Sequence, residues 1–515
     1  MMRKKIVEKY RVQFEQLKNG DHFYRLGKLF QTKNKNYFYD MGTGKIFELK
    51  NEVYELLYYI FKMDTIDGID ELHLSDEELE KGLEEIVAAI GDEHILSAPK
   101  LTEFVGPQSL ALREELDSNM SQLTLEVTES CNLRCKYCIY QDSHNDFHGY
   151  VNRNMTFEIA KKAIDFAYPR IGKHFYIAFY GGEPLLNYTL ITQVVKYAKK
   201  SVKEKELGFS LTTNGVLITD EIAEFFAKND FVILVSLDGP EDIHNENRVF
   251  ADGRGSFKLA TEGLKKLLKA YGNKYKSNIF ISMVTSGPNY AEKYDKIQKF
   301  FVETDWLPSD ISVNASYVSY GRYAEEYVMP NLEMDEEYAE KNIDPLVDWS
   351  IANHGENAGK ERLFSKAQIQ KNLHIVHRRE IYEKPMGTYF FNGCCVPGAR
   401  RMHVNVEGKF LPCERVGTVP YLGDVNNGFD YDCIKKYYVQ DFMEEAVEYC
   451  KHCWAVHMCS SCYIDCFDDD KINMSYRHSG CKYIRYNLQK ALEQYHSILE
   501  SNPDELEPLN HIVIE

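Results

Sequence analysis

The sequence predicts an α/β protein in which a TIM-like partial (β/α)6 barrel lies between an N-terminal winged-helix-like α+β module and a C-terminal cysteine-rich domain. Two observations predict this arrangement. Six apolar or β-branched runs alternate with helical periodicity in the middle of the chain. Cysteines occur in two regions, three at 131–138 and ten at 394–481, and are absent before residue 131. A chain of 515 residues has room for several such domains.

The amino-acid composition indicates which classes of partner are disfavoured and which cellular compartment is expected. Lys and Arg number 61 against 79 Asp and Glu, a net charge of −18 that disfavours nucleic acid or an anionic membrane as partner. Apolar runs such as FVILVSL (231–237) are far shorter than the ~20 residues of a membrane span, and MMRKKIVEKYR has no signal-peptide core. We therefore expect a cytoplasmic protein. Thirteen clustered cysteines in such a protein indicate metal or redox chemistry.

The first element is a module at residues 1–105. HFYRLGKLFQTKNKNYFYDMGTGKIFEL predicts short strands with a Gly-containing turn, and NEVYELLYYIFKM predicts an amphipathic helix. A second helix is predicted after Ser75, which with Glu78 forms a capping-box pattern. Strands followed by helices suggest a small winged-helix-like fold. Since the module carries no chemical motif, it is either a binding element or a plain structural extension.

Residues 106–320 contain the repeated β-α pattern. The six strand-like runs are 123–130, 175–182, 208–215, 231–239, 278–286 and 311–319. Helical segments between them predict parallel strands and a barrel-like sheet, whose function is expected at the carboxyl ends of the strands. The unusual motifs lie there, since CNLRC, GGEP, TTNG and SLDGP follow the first four runs in turn.

Cys131, Cys135 and Cys138 lie within eight positions, directly after the first of these strands. Iron–sulfur cubanes are usually held by four thiolates, so three at this spacing leave one iron open to an outside ligand. A zinc site completed by His144 or His148 is the alternative.

The remaining segments are a charged helical bridge at 321–388, a cysteine-rich domain at 389–485 and a C-terminal helix and tail at 486–515. The cysteine-rich domain begins with CVPGARRMHVNVEGKFLPC (395–413) and continues with Cys450, Cys453, Cys459, Cys462, Cys466 and Cys481. A structural zinc ribbon would need only the two C-x2-C pairs, and it would leave many thiols unexplained.

The middle region resembles the radical S-adenosylmethionine (SAM) superfamily over roughly residues 120–320. The resemblance rests on C-x3-C-x2-C after the first strand, on Tyr137 before the last cysteine, and on GGEP after the second strand. It implies that a [4Fe-4S] cluster on the three cysteines binds SAM through the methionine amino and carboxylate groups. Reductive cleavage would then give a 5′-deoxyadenosyl radical that takes hydrogen from a substrate carbon.

Further site residues follow from this resemblance. Gly181, Gly182 and Glu183 are expected near the methionine amino group, because glycine permits close backbone approach and a carboxylate suits an ammonium. The ribose and the methionine carboxylate are assigned to Asn214, Ser236, Asp238 and Arg248. Asn-Gly and Asp-Gly-Pro are also ordinary turn formers, which is the structural alternative for this set. For His244 we expect a structural, capping role.

The cysteine-rich domain resembles the SPASM extension of peptide-modifying radical enzymes, which holds two auxiliary [4Fe-4S] clusters. Family pairing assigns the outer cluster to Cys450, Cys453, Cys459 and Cys481, and the inner one to Cys395, Cys413 and either Cys462 or Cys466. The choice stays open because Tyr463 occupies the position that the family pattern gives to the last cysteine of the close group. Relatives with a fully ligated inner cluster have another cysteine where this chain has Arg401 and Met402, and Cys394 and Cys433 are spare candidates.

Together these features resemble enzymes that modify ribosomally made peptides. The N-terminal module would bind the leader of a precursor peptide by adding it as a strand to a sheet edge, and an external electron donor would be required. GKFLPCERV (408–416) is most similar to maturases that form thioethers. The alternatives are carbon–carbon crosslinking, oxidation of a sulfatase residue, or a non-enzymatic zinc protein.

Overall fold

The computed structural model describes residues 2–141, 148–203, 205–285, 290–318, 325–341, 372–468 and 471–511. His144, one of the two predicted zinc ligands, and residues 342–371 of the predicted helical bridge lie outside these ranges. No helix in the described ranges is long and apolar enough to cross a membrane.

The N-terminal module is a three-stranded antiparallel sheet with three helices. The elements are α1 (Met2–Lys18), β1 (Gly27–Gln31), β2 (Asn36–Asp40), β3 (Ile46–Leu49), α2 (Asn51–Met63) and α3 (Asp76–Glu93). The predicted strands, helices and capping box are present, with the backbone N–H of Glu78 donating to Ser75 Oγ at 3.1 Å. The sequence analysis did not predict α1, which buries Ile6, Val7, Tyr10 and Phe14. The winged-helix-like class remains a prediction.

The middle region forms the six predicted parallel strands. A short strand, β4 (Phe104–Val105), precedes β5 (Met120–Thr128), β6 (Ile171–Gly181), β7 (Glu206–Thr213), β8 (Val232–Ser236), β9 (Ile279–Thr285) and β10 (Ser312–Tyr317). Between successive strands lie α4 (Phe157–Ala167), α5 (Tyr188–Ser201), α6 (Asp220–Lys228), α7 (Phe257–Tyr271) and α8 (Tyr290–Glu303). Strands β5 to β10 lie side by side in chain order, and every neighbouring pair is parallel. All five loops that leave β5 to β9 therefore emerge at one edge of the sheet.

The cysteine-rich region continues this sheet. The main elements from the bridge to the C-terminal helix are α9 (Leu332–Lys341), β11 (Tyr389–Phe390), β12 (Arg401–Val404), β13 (Lys409–Leu411), β14 (Gly423–Asp424), β15 (Gly428–Phe429), α10 (Phe442–Cys450), β16 (Phe467–Asp468), β17 (Lys471–Ile472) and α11 (Met474–Ser501). Strand β12 pairs parallel to β5, and β13 to β15 follow as an antiparallel meander. The ten-stranded sheet therefore places the segment between Cys395 and Cys413 beside the strand that carries the first cysteine motif.

A buried ionic cluster fixes the N-terminal module to the rest of the chain. Asp335 on α9 is 6% exposed and accepts hydrogen bonds from Tyr24 (2.7 Å), Arg485 (2.7 Å) and Trp454 (3.2 Å). Burial alone would raise the pKa of Asp335, but Arg485 and Lys28 outweigh it and hold the pKa below its usual value. Since removing one partner of a buried ion pair is strongly destabilising, the module is an integral part of the fold.

Candidate active site

The first three cysteines lie on a loop that leaves the carboxyl end of β5. Backbone N–H groups of Arg134 and Lys136 donate to the carbonyl oxygens of Val249 (2.7 Å) and Asn247 (3.0 Å), which ties the loop to the segment after β8. The loop is therefore held by its backbone, and the cysteine side chains are available for ligation.

The chemistry of these thiols fits a cationic metal centre. Burial raises the pKa of Cys131 to about 12 and that of Cys135 to about 11. Both are therefore protonated at neutral pH in the free protein, and a bound metal centre supplies the positive charge that stabilises thiolates. No disulfide joins cysteines within the described ranges.

A cleft of about 1860 Å³ opens at this edge of the sheet, and the cysteine loop forms one wall. Almost all the residues predicted to bind the cofactor line this cleft together with the three cysteines: Tyr137, Gly181, Gly182, Glu183, Asn214, Ser236 and Arg248. The sequence analysis did not single out Arg415 and Ile464, which belong to the cysteine-rich region and complete the wall. Their proximity in sequence to Cys413 and Cys462 is the signal that could have identified them.

The paired glycines at the end of β6 have a more specific role than the sequence suggests. Gly181 has a φ of 138°, and a Cβ on either glycine would lie 2.1 Å from a carbonyl oxygen, that of Thr128 for Gly181 and that of Ser130 for Gly182. The backbone N–H of Glu183 donates to the same Ser130 oxygen at 2.8 Å. The close approach seen here is therefore between β6 and the residues just before Cys131.

Glu183 is a fully enclosed carboxylate at the base of the cleft. It accepts hydrogen bonds from Thr213 Oγ1 (2.7 Å) and from the backbone N–H groups of Asn214 (2.8 Å) and Leu185 (3.1 Å). Burial raises its pKa to about 7 despite these donors. A cationic ligand in the cleft would favour the ionised form.

This pKa predicts how SAM binding depends on pH. Glu183 is the predicted partner of the methionine ammonium, and its raised pKa means that the carboxylate becomes protonated as pH falls through about 7, so we expect the affinity for SAM to fall severalfold from pH 7.5 to 6. Equilibrium binding to the iron-loaded protein measures it. In Glu183→Gln the affinity should be lower and lose this pH dependence, and an unchanged dependence in that variant would exclude Glu183 as the cause.

Asp238 lies behind the cleft wall. Its carboxylate accepts hydrogen bonds from Arg248 Nε (2.9 Å), Tyr137 Oη (2.5 Å) and the backbone N–H of Val284 (3.0 Å). It thereby holds two of the predicted cofactor-binding side chains, so the structure gives it a positioning role, and its direct contact with the ligand remains a prediction. His244 is fully buried, accepts from the Asp238 backbone N–H through Nδ1, and pairs through Nε2 with Ser256.

Four cysteines, together with Cys394, line a second cavity. Cys450 ends α10 and Cys481 lies on α11, while Cys453 and Cys459 come from the connection between them. Burial, together with the neighbouring Cys459 and Cys481 thiols, raises the pKa of Cys450 to about 12. These are the residues that family pairing assigns to the outer cluster.

A second group forms around Cys462. Burial and the adjacent Cys462 raise the pKa of Cys394, and Cys462 also adds to the raised pKa values of Cys395 and Cys413. The thiol of Cys466 instead acts on Cys450 and on Cys394, between the two groups. Cys462 thus acts on all three of Cys394, Cys395 and Cys413, while the choice between Cys462 and Cys466 as the ligand remains a prediction. Tyr463, which replaces the expected cysteine, pairs its hydroxyl with Cys395 Sγ at 2.9 Å.

Two other predicted ligands lie apart from these groups. The Cys433 thiol donates to the carbonyl oxygen of Tyr421 at 3.2 Å. Burial raises its pKa, and the charged side chains that also affect this pKa are Asp430 and Lys436. His148 contacts Glu126 through Nε2 (2.8 Å) and the Gly149 carbonyl through Nδ1 (2.6 Å). A zinc site that uses His148 with the three cysteines is therefore not formed in the described part of the chain.

Residues 125–297 match the family described as the radical SAM superfamily. This segment is a radical SAM domain. The segment coincides with strands β5 to β9 and the helix that follows each of them. These elements carry the cysteine loop, the paired glycines, and Asp238 with its hydrogen-bond partners. This part of the chain therefore has an α/β radical SAM fold with a mostly parallel central sheet.

Individual relatives extend this comparison. The chain is 32% identical over 194 residues to a cysteine-type anaerobic sulfatase-maturating enzyme of Clostridium novyi (strain NT), a match that covers 36% of this chain and 49% of that protein. The chain thus spans about half the length of that relative. It is 24% identical over 486 residues to the radical SAM cyclopropyl synthase TigE of Paramaledivibacter caminithermalis, covering 90% of this chain and 93% of the relative.

Among solved structures, the chain resembles histidine-tagged anSMEcpe with bound AdoMet. The TM-score is 0.54 at 22% identity, and the match covers 76% of this chain and 98% of the other. At this identity the likeness shows the shared fold alone.

Proposed function

We propose that this chain is a radical SAM enzyme that modifies a ribosomally made precursor peptide. The observation that carries the proposal is the composition of the cleft. One cavity joins the three-cysteine loop, the polar residues at the strand ends, and Arg415 and Ile464 from the cysteine-rich region. A substrate held there would lie between the radical site and the inner cysteine group.

A cluster on Cys131, Cys135 and Cys138, when bound with SAM, supplies a radical that removes a hydrogen atom from a substrate carbon. The protein's own residues position the reactants. Glu183 binds the methionine ammonium as a carboxylate, while Arg248, held by Asp238, presents a guanidinium to the cleft for the methionine carboxylate. The backbone hydrogen bonds of the cysteine loop to Val249 and Asn247 hold the three thiols in place for ligation.

We assign two auxiliary clusters to the other cysteine groups. The outer one would use Cys450, Cys453, Cys459 and Cys481, and the inner one Cys395, Cys413 and Cys462, with Cys394 adjacent. The inner group is the nearer to solvent, because Cys395 is exposed. An external electron donor would supply the reducing electrons.

The bond that we propose is a thioether between a substrate cysteine and a carbon of another residue. The C–H hydrogen atom would go to the 5′-deoxyadenosyl radical and the S–H proton to solvent, and the remaining electron would be accepted by the inner auxiliary cluster. GKFLPCERV supports it, together with Arg401 at the position where other relatives have a further cysteine. In the structure Arg401 pairs with Glu414 at 3.4 Å, beside Cys413. Carbon–carbon bond formation is the second candidate, favoured by the alignment over 486 residues with a cyclopropyl synthase. Oxidation of a sulfatase residue is less well supported, because it gives the N-terminal module no role.

The N-terminal module would bind the leader peptide at β3. The sheet order is β1-β2-β3, so β1 and β3 are its edges. The β1 side is covered by α11, whose Glu500 accepts from Thr32 (2.7 Å) and Tyr37 (2.9 Å). Strand β3 is half-buried and, within the described residues, pairs with β2 alone, which leaves its other edge for an added strand, the geometry of β-augmentation.

Hydrogen exchange tests this docking edge. We expect precursor peptide to slow amide exchange in β3 (Ile46–Leu49) while leaving β1 (Gly27–Gln31) unchanged, because only β3 gains backbone partners. The leader alone should give the same pattern, and a peptide without its leader should give none. This measurement is preferable to deleting residues 1–105, which would leave the buried Asp335 cluster without Tyr24 and Lys28. Protection of β1 alone, or of neither strand, would contradict the assignment.

A further inference from the structure

Arg477 is a buried guanidinium between the two auxiliary cysteine groups. It lies on α11, is 7% exposed, and lines the same cavity as Cys450, Cys459 and Cys394. The ring of Phe442 packs against it, with the guanidinium carbon 5.1 Å from the ring centroid. Its position therefore brings one positive charge close to thiols of both groups.

Two of its nitrogen atoms have no partner among the described residues. Nε and Nη1 are buried and form no hydrogen bond within the described ranges. Arg485, two turns further along α11, differs because its Nε is bound to Asp335 at 2.7 Å. Buried polar groups are almost always hydrogen-bonded, and a buried charge without partners is especially unfavourable. None of the described residues supplies an acceptor for these two atoms, so Arg477 is available to an acceptor that is bound in this cavity.

We propose that Arg477 donates its N–H groups to sulfur atoms of the auxiliary clusters and raises the reduction potential of both. This inference rests on the proposed function, since it requires clusters on the two cysteine groups. Reduction adds negative charge to a cluster, and a buried cation with hydrogen bonds to sulfur stabilises that reduced state. The residue would act on electron transfer through the clusters and make no contact with substrate.

Redox titration monitored by electron paramagnetic resonance tests the proposal. A background in which Cys131, Cys135 and Cys138 are all alanine leaves only auxiliary signals, with about eight irons per chain expected. In this background Arg477→Gln should shift both auxiliary midpoint potentials to more negative values, and Arg477→Lys, which keeps the charge, should shift them less.

The matched control is Lys482→Gln. Lys482 is adjacent to Cys481 and carries the same charge, but its side chain is 34% exposed and pairs with Glu325 at 3.1 Å. Solvent screens such a charge, so its removal should change the potentials less than Arg477→Gln does.

The outcomes separate this inference from the proposed function. Absence of auxiliary iron in the parent background would refute the clusters themselves. With iron at the parent level, unchanged potentials in Arg477→Gln would overturn the role of Arg477. Loss of auxiliary iron from both Arg477 variants, at unchanged helical content, would also overturn it and assign the residue to packing alone.

Discussion

Replacement of Cys135 by alanine is expected to abolish cleavage of S-adenosylmethionine while about eight auxiliary irons per chain remain. Cys135 is 9% exposed and belongs to a group of three donors on one loop, so no nearby thiol within that loop can replace it. Chromatographic detection of 5′-deoxyadenosine after reduction, with iron analysis of the same sample, measures both parts of the result.

Cys433→Ala is the matched control for this variant. Its thiol donates to the Tyr421 carbonyl, and the charged groups that act on it are Asp430 and Lys436 and not another cysteine, so both cleavage and iron content should stay at the wild-type level. Wild-type cleavage by Cys135→Ala would rule out the assignment of the radical cluster to this loop. Loss of cleavage in both variants would point to a general defect in folding.

The second large effect concerns the substrate. A thioether needs a substrate sulfur, so a precursor whose acceptor cysteine is replaced by serine should lose the crosslink completely, even while 5′-deoxyadenosine still forms. The product from the unaltered precursor should be lighter by two hydrogens and should resist thiol alkylation under reducing conditions, which distinguishes a thioether from a disulfide. Mass spectrometry of the two peptides, with and without alkylation, measures this difference.

The same experiment separates the two candidate bonds. Carbon–carbon coupling also removes two hydrogens, but it leaves every thiol open to alkylation and does not depend on a cysteine. A product two hydrogens lighter from the cysteine-free precursor would therefore exclude the thioether and favour the second candidate.

The features that the sequence predicts correctly depend on short stretches of chain. Period-two and period-3.6 patterns locate the six parallel strands and their helices within a few residues. The capping box at Ser75 needs only four consecutive residues, and the radical SAM motif only eight. In each case the physical cause acts between residues that are close in sequence, and so it can be read from the sequence.

The features that the sequence analysis missed depend on contacts between distant segments. Pairing of β12 with β5 joins residues about 280 positions apart and brings Arg415 into the cleft. Proximity of Cys462 to Cys395 and Cys413 likewise follows from tertiary packing, which cysteine spacing does not encode. Asp238 lies behind the wall, where its carboxylate accepts hydrogen bonds from both Arg248 and Tyr137. Gly182 is needed for its contact with the Ser130 carbonyl, which only the closed fold reveals.

Iron, sulfide and zinc content of the anaerobically purified full chain tests the central claim most directly. Three four-iron clusters on three separate cysteine groups predict about twelve irons and about twelve acid-labile sulfides per chain, with zinc near zero. Stoichiometric zinc without sulfide would contradict the account, because it would make the cysteine groups structural metal sites and leave the cleft without a source of radicals.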